Sequence, residues 1–112
     1  MITPLDVLNI SALSVIDAGA GMVCKKCLVG GRVQGVFYRA TTAQRAAELA
    51  ISGYARNLPD GRVEVLACGD DAAVEAFVSW LWIGSSASKV RSVEVLDAPL
   101  DPARVPPGFH TA

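Results

Sequence analysis

The segment Gly31-Arg32-Val33-Gln34-Gly35-Val36-Phe37-Tyr38-Arg39 concentrates the residue types that gather an anion. It follows an apolar, strand-like stretch (Cys27, Leu28, Val29) and leads into a helical pattern, so a glycine-rich loop stands between a strand and a helix start. Glycines let backbone N–H groups converge on one point, and a helix N-terminus adds unpaired donors with a partial positive charge. Arg39 falls in the first helical turn, where Cα–Cβ bonds tilt toward the N-terminus and a guanidinium can swing back over the loop. Phosphate or carboxylate is the ligand such a site would take. Spacing alone leaves a plain structural turn equally open. The lysine-and-hydroxyl ending of a P-loop and the three-glycine dinucleotide fingerprint are both missing.

A second stretch, Gly53-Tyr54-Ala55-Arg56-Asn57-Leu58-Pro59-Asp60-Gly61-Arg62-Val63-Glu64-Val65, carries an asparagine just ahead of a tight turn. Read alone, Asn57 satisfies the backbone of that turn. His110, near the C-terminal end, reads as an exposed bystander. Cys24-Lys25-Lys26-Cys27 has two-residue spacing but no second pair, and on a strand positions three apart point to opposite faces, so no metal site is expected. Trp80, Trp82 and Phe77 read as core and helix-flank packing, and Arg32, Arg56 and Arg62 as solvated.

These residues need elements to position them, and the pattern from Val23 onward supplies strand, helix, strand, strand, helix, strand. The first strand covers roughly Val23 to Gly31. A helix over Val36 to Ile51 places Val36, Ala40, Ala43, Ala47 and Ala50 on one apolar stripe. A short strand from Ser52 to Leu58 and another from Arg62 to Cys68 flank Pro59-Asp60-Gly61, a tight turn, and should pair as a hairpin. Asp70-Asp71 is expected to cap a second helix with Val74, Phe77, Val78 and Leu81 buried, ending at Gly84. Lys89 to Leu96 alternates as a strand, and the proline-rich tail should close with a brief edge strand at Gly108 to His110. This order predicts an α+β, ferredoxin-like βαββαβ sandwich, two helices on one face of an antiparallel four- to five-stranded sheet. In such a sheet Cys24 and Cys68 lie on neighbouring antiparallel strands. A disulfide is geometrically possible, whereas a cytoplasmic compartment favours free thiols.

With 112 residues the chain is long enough for one core. Its net charge of −1 gives no basic field to collect a polyanion, so a small ligand held by a local positive site is expected and nucleic acid is not. The strands also lack the pair of exposed aromatics that an RNA-binding sheet of this pattern would use. No apolar run approaches the ~20 residues of a membrane span, and no membrane partner is expected. The first 21 residues hold no Lys or Arg for a secretory signal, which makes the cytoplasm the default expectation. Residues 1–21, ending in Ala18-Gly19-Ala20-Gly21, read as a dispensable extension ahead of a domain spanning 22–112, with Met22 a natural start. The alternative is that Leu5, Val7, Leu8, Ile10, Leu13, Val15 and Ile16 form a short element that docks on a neighbour.

The first segment resembles the signature of the acylphosphatase family, glycine-x-valine-glutamine-glycine-valine-x-(phenylalanine or tyrosine)-arginine, with every defined position filled. Acylphosphatases have the ferredoxin-like fold that the element order predicts independently. The resemblance implies hydrolysis of a small acyl phosphate by a monomer without metal or cofactor. Loop N–H groups from Gln34, Gly35, Val36, Phe37 and Tyr38 would hold the phosphoryl oxygens together with Arg39. The second stretch is similar to another family block, which would make Asn57 a catalytic residue that orients water. Gly84-Ser85-Ser86-Ala87-Ser88 departs from the proline-containing loop often found there, so a looser loop is expected. A non-catalytic phosphate-binding module is the alternative reading of the same cradle.

Overall fold

The computed structural model describes residues 22–100 and 104–112; the expectations for residues 1–21 lie outside them. The element order is β1 (Met22–Arg32), α1 (Tyr38–Glu48), β2 (Ser52–Asn57), β3 (Val63–Asp70), α2 (Asp71–Leu81), β4 (Lys89–Asp97) and β5 (Phe109–Thr111). The strands make one sheet in the order β4-β1-β3-β2-β5, with both helices against one face. Odd-numbered β1 and β3 residues, Cys27 and Val29 with Val63, Val65 and Ala67, meet Val74, Phe77 and Leu81 of α2 and Tyr38 and Ala46 of α1 in the core. Period-two alternation on strands and three-to-four spacing on helices are what bring these side chains to a shared layer.

The sheet is antiparallel except at its last edge, where β5 runs parallel to β2 with Gly53 opposite Phe109 and Ala55 opposite Thr111. An all-antiparallel sheet does not accommodate this strand. The chain leaves β4 at one edge and crosses to the other, so β5 starts at the end where β4 stopped and must run in the direction of β2. The segment following β4 lies against the helix-free face, where Ala98 and Pro99 adjoin Lys26, Tyr54 and Leu66.

Helix α1 buries a different stripe from the one expected. Its inward residues are Tyr38, Thr42 and Ala46, while Ala40, Ala47 and Ala50 are exposed. The helix starts two residues later than Val36, and the large Tyr38 ring decides which face turns inward. Thr42 tolerates burial because its hydroxyl donates to the Tyr38 carbonyl at 2.7 Å. The helix ends at Glu48, and Ala50 takes a left-handed φ of 56° just beyond it. In α2, Val74, Phe77 and Leu81 are buried as expected; Asp70 occupies the N-cap position but makes no side-chain cap bond. Trp80 stacks on Phe77 with ring centroids 6.3 Å apart, and Trp82 is half-exposed.

Cys24 and Cys68 stand directly opposite in the β1–β3 ladder and are joined by a disulfide, not held as free thiols. The antiparallel register puts their Cα atoms 4.1 Å apart, which is why the bond can form without moving either strand. Cys27, on the other face of β1, is free and buried, and burial pushes its thiol up to about 11. Among the described residues no helix is long and apolar enough to cross a membrane.

Candidate active site

The β1–β4 register shifts between Gly30 and Gly31, Gly31 and Arg32 still pair with Val90 and Lys89, and the chain then passes into the loop 33–37. Gly35 has φ 72° and Phe37 φ 63°, two left-handed residues that curl the loop just ahead of α1. Such a φ is free for glycine but strained for phenylalanine, whose side chain is 79% exposed. Strain persists only where the surroundings fix the backbone. The N–H groups of Gln34, Gly35, Val36 and Phe37 engage no backbone carbonyl among the described residues, and the first N–H groups of α1 follow directly. A shallow depression of about 270 Å³ adjoins this loop and the helix start, lined by Val33, Gly35, Phe37, Tyr38, Arg39 and Ala40, with Gln34 and Val36 outside the lining.

Three side chains hold this loop in place. The Gln34 amide donates to the carbonyls of Leu58 at 2.8 Å and Arg62 at 2.9 Å, which ties the loop to both sides of the β2–β3 turn. The Tyr38 hydroxyl donates to the Leu81 carbonyl at 2.8 Å, anchoring the first turn of α1 on the end of α2. Burial pushes that hydroxyl above its ordinary range, so it stays a donor at all moderate pH. The Ser85 hydroxyl donates to the Val36 carbonyl at 2.6 Å, and Ser88 donates to the Ser85 carbonyl at 2.7 Å. The serine loop is thus hydrogen-bonded to the cradle, contrary to the looser loop expected from its lack of proline. Gly84 completes this corner, since a Cβ there would stand 2.5 Å from the Tyr38 ring.

Arg39 lies on the rim of the depression, and its Nη1 donates to the Ala112 carbonyl at 2.7 Å. The Ala112 N–H in turn donates to the Ala55 carbonyl at 2.9 Å, so the guanidinium hangs beside the end of β2. Asn57 is the last residue of β2 and is exposed. It shares the parity of Gly53 and Ala55, hence the helix-covered side of the sheet, and it immediately precedes Leu58, where the Gln34 amide is held. The loop residues and Arg39 are contiguous, whereas Asn57 does not line the depression and is linked to the loop only through its neighbour Leu58, whose carbonyl accepts from Gln34. Asp60, the nearest acid in the turn, is bonded to Arg62 at 2.8 Å, which offsets its charge. His110 makes a hydrogen bond with the Pro107 carbonyl on the edge strand.

Sequence reasoning credited Gln34 with a backbone donor and missed its side-chain fork; it also missed Tyr38 and Ser85 as anchors. A glutamine inside a glycine loop could have signalled a tether, because a buried loop must satisfy carbonyls that have no ladder. Nothing in the local sequence marks Ser85.

Two helices on one face of this sheet define a ferredoxin-like α+β protein with a strand-to-helix loop and an arginine at one depression. The comparisons are more specific. The family model described as acylphosphatase matches residues 25–111. An acylphosphatase of Chromohalobacter salexigens is 55% identical over 85 residues, covering 76% of this chain and 90% of its own. The acylphosphatase structure from Coxiella burnetii superposes with a TM-score of 0.78 at 29% identity, over 87% of this chain and 99% of that one. The Bacillus subtilis acylphosphatase structure gives 0.75 at 32% identity, over 80% and 98%. The chain belongs to the acylphosphatase family and is an enzyme of that class.

Proposed function

We propose that the chain hydrolyses the carboxyl–phosphate bond of small acyl phosphates to carboxylate and inorganic phosphate. The relatives' shared name supports the activity, and the Gln34 fork between the cradle and the Leu58–Arg62 turn is the observation that supports the residue roles. N–H groups of Gln34, Gly35, Val36, Phe37 and Tyr38 hold the phosphoryl oxygens, and Arg39 adds a charge-assisted contact that strengthens as charge shifts in the transition state. Water held by the Asn57 side-chain amide attacks phosphorus opposite the acyl oxygen. The new P–O bond forms as the old one breaks, the electron pair leaves with the carboxylate, and the water's proton passes to solvent. A carboxylate is a good leaving group, so positioning and charge stabilisation suffice and no strong general acid is needed.

Phosphate release from acetyl phosphate in the presence of EDTA tests this reading. Turnover by the unaltered chain is expected to be unaffected by chelator, and Asn57→Ala is expected to lower turnover while inhibition by inorganic phosphate is retained. A chain that binds phosphate but never turns over would be the non-catalytic module instead. Loss of turnover on chelation would exclude the metal-free scheme.

A further inference from the structure

On the helix-free face of the sheet, β2 and β3 carry a polar cluster that the proposed chemistry leaves unused. Glu64 is only 6% exposed, and its carboxylate accepts from the Tyr54 hydroxyl at 2.5 Å and from Arg56 Nη2 at 3.3 Å. The Arg56 guanidinium also lies 5.7 Å from the centre of the Tyr54 ring, within cation–π range. A buried charge is rarely the most stable way to fill such a position, because desolvation opposes the attraction. Its location supplies another reason for it.

Strand β5 pairs with β2 only from Gly53 to Ala55. Arg56 and Asn57 extend past the end of β5 and have a ladder neighbour on one side alone, Glu64 and Val63 of β3. This end is held by fewer sheet bonds than the rest of β2, and the turn beyond it is braced by the Leu58 N–H bond to the Arg62 carbonyl and by the Gln34 fork. Glu64 grips this end from behind, directly opposite Arg56 and one rung from Asn57, while the Tyr54 bond ties the strand two rungs further back to the same carboxylate. We infer that Glu64, with Tyr54 and Arg56, is a positioning group that holds the end of β2 so that the Asn57 amide keeps its aim. The inference rests on the proposed role of Asn57.

The test is a double-mutant cycle on the full chain, reading kcat for acetyl phosphate and the inhibition constant for inorganic phosphate. Glu64→Gln is expected to lower kcat about tenfold, the scale of a small misplacement at a reacting centre, with phosphate inhibition shifted less than about twofold because the cradle belongs to another element. In the Asn57→Ala background, Glu64→Gln is expected to cause no further loss of kcat. Wild-type kcat in Glu64→Gln, multiplied losses in the double variant, or parallel loss of kcat and phosphate affinity would each overturn the inference. Should urea titration show that Glu64→Gln does not fold, Tyr54→Phe, which keeps the charge pair, undergoes the same cycle with about a threefold expected loss. Full activity in Asn57→Ala alone would overturn the proposed role of Asn57, whereas an impaired Asn57→Ala with additive Glu64→Gln would overturn the positioning role only.

Discussion

The two faces of the sheet are held by different means. On the helix-covered face the proposed anion site is one of backbone, with N–H groups of the loop 33–38 as its proposed donors, and the side chains of Gln34, Tyr38 and Ser85 hold that loop by gripping carbonyls. On the other face the bonds run between side chains, through the Cys24–Cys68 disulfide and the Tyr54–Glu64–Arg56 cluster. A site made of backbone is indifferent to most side chains and sensitive to whatever moves the chain. A face made of side-chain bonds responds to redox state and pH.

The sharpest way to break this contrast is to reduce the disulfide. It closes a loop between residues 44 apart, and its reduction is expected to lower unfolding free energy by about 4 kcal/mol, checked by urea titration with and without reductant, while kcat of the folded enzyme stays the same. A comparable loss of kcat would mean that the faces are not separable. Arg39→Ala should act in reverse, with kcat/KM for acetyl phosphate falling ~100-fold or more and thermal stability nearly unchanged.

Gln34→Ala joins the two kinds of effect. It leaves the Leu58 and Arg62 carbonyls without their donor, so we expect about 1 kcal/mol of lost stability together with roughly a tenfold lower kcat; equal stability would show that water replaces the amide fully. The smallest effect concerns acid. Burial pushes the Glu64 carboxyl up, but the Tyr54 and Arg56 hydrogen bonds outweigh it and hold the group below its ordinary value. A depressed folded pKa gives stability that is fully present above the unfolded value of about 4.3 and is lost as pH falls through the folded one. Stability measured from pH 6 to pH 3 should therefore fall less steeply in Glu64→Gln than in the unaltered chain.

Much of the fold was legible in the sequence because alternation, turn residues and helical spacing agree from Val23 to Leu96. The inward face of α1 was not, since counting alanines overlooks that one large side chain, Tyr38, decides the rotation of a helix whose other candidates are small. The direction of β5 was not legible either: a three-residue edge strand takes its sense from where the crossing chain arrives. The cysteine register followed from the predicted topology, while bond formation depends on the redox surroundings. At the site, the loop and Arg39 are one continuous motif and could be read as such. The proposed role of Asn57 entered through family resemblance alone, because its link to the loop runs through the Gln34 amide, which reaches two carbonyls across a turn that local sequence does not reveal.

Phe37 shows what a backbone-built site leaves open to change. Its left-handed conformation turns the ring to water while the N–H stays with the loop, so the proposed recognition of the anion and the character of the entrance fall on separate atoms of one residue. Asparagine, which accepts this conformation more readily than most residues, could replace the ring and give incoming molecules a polar threshold above the same row of donors. The entrance can therefore be redesigned without redesigning the anion hole.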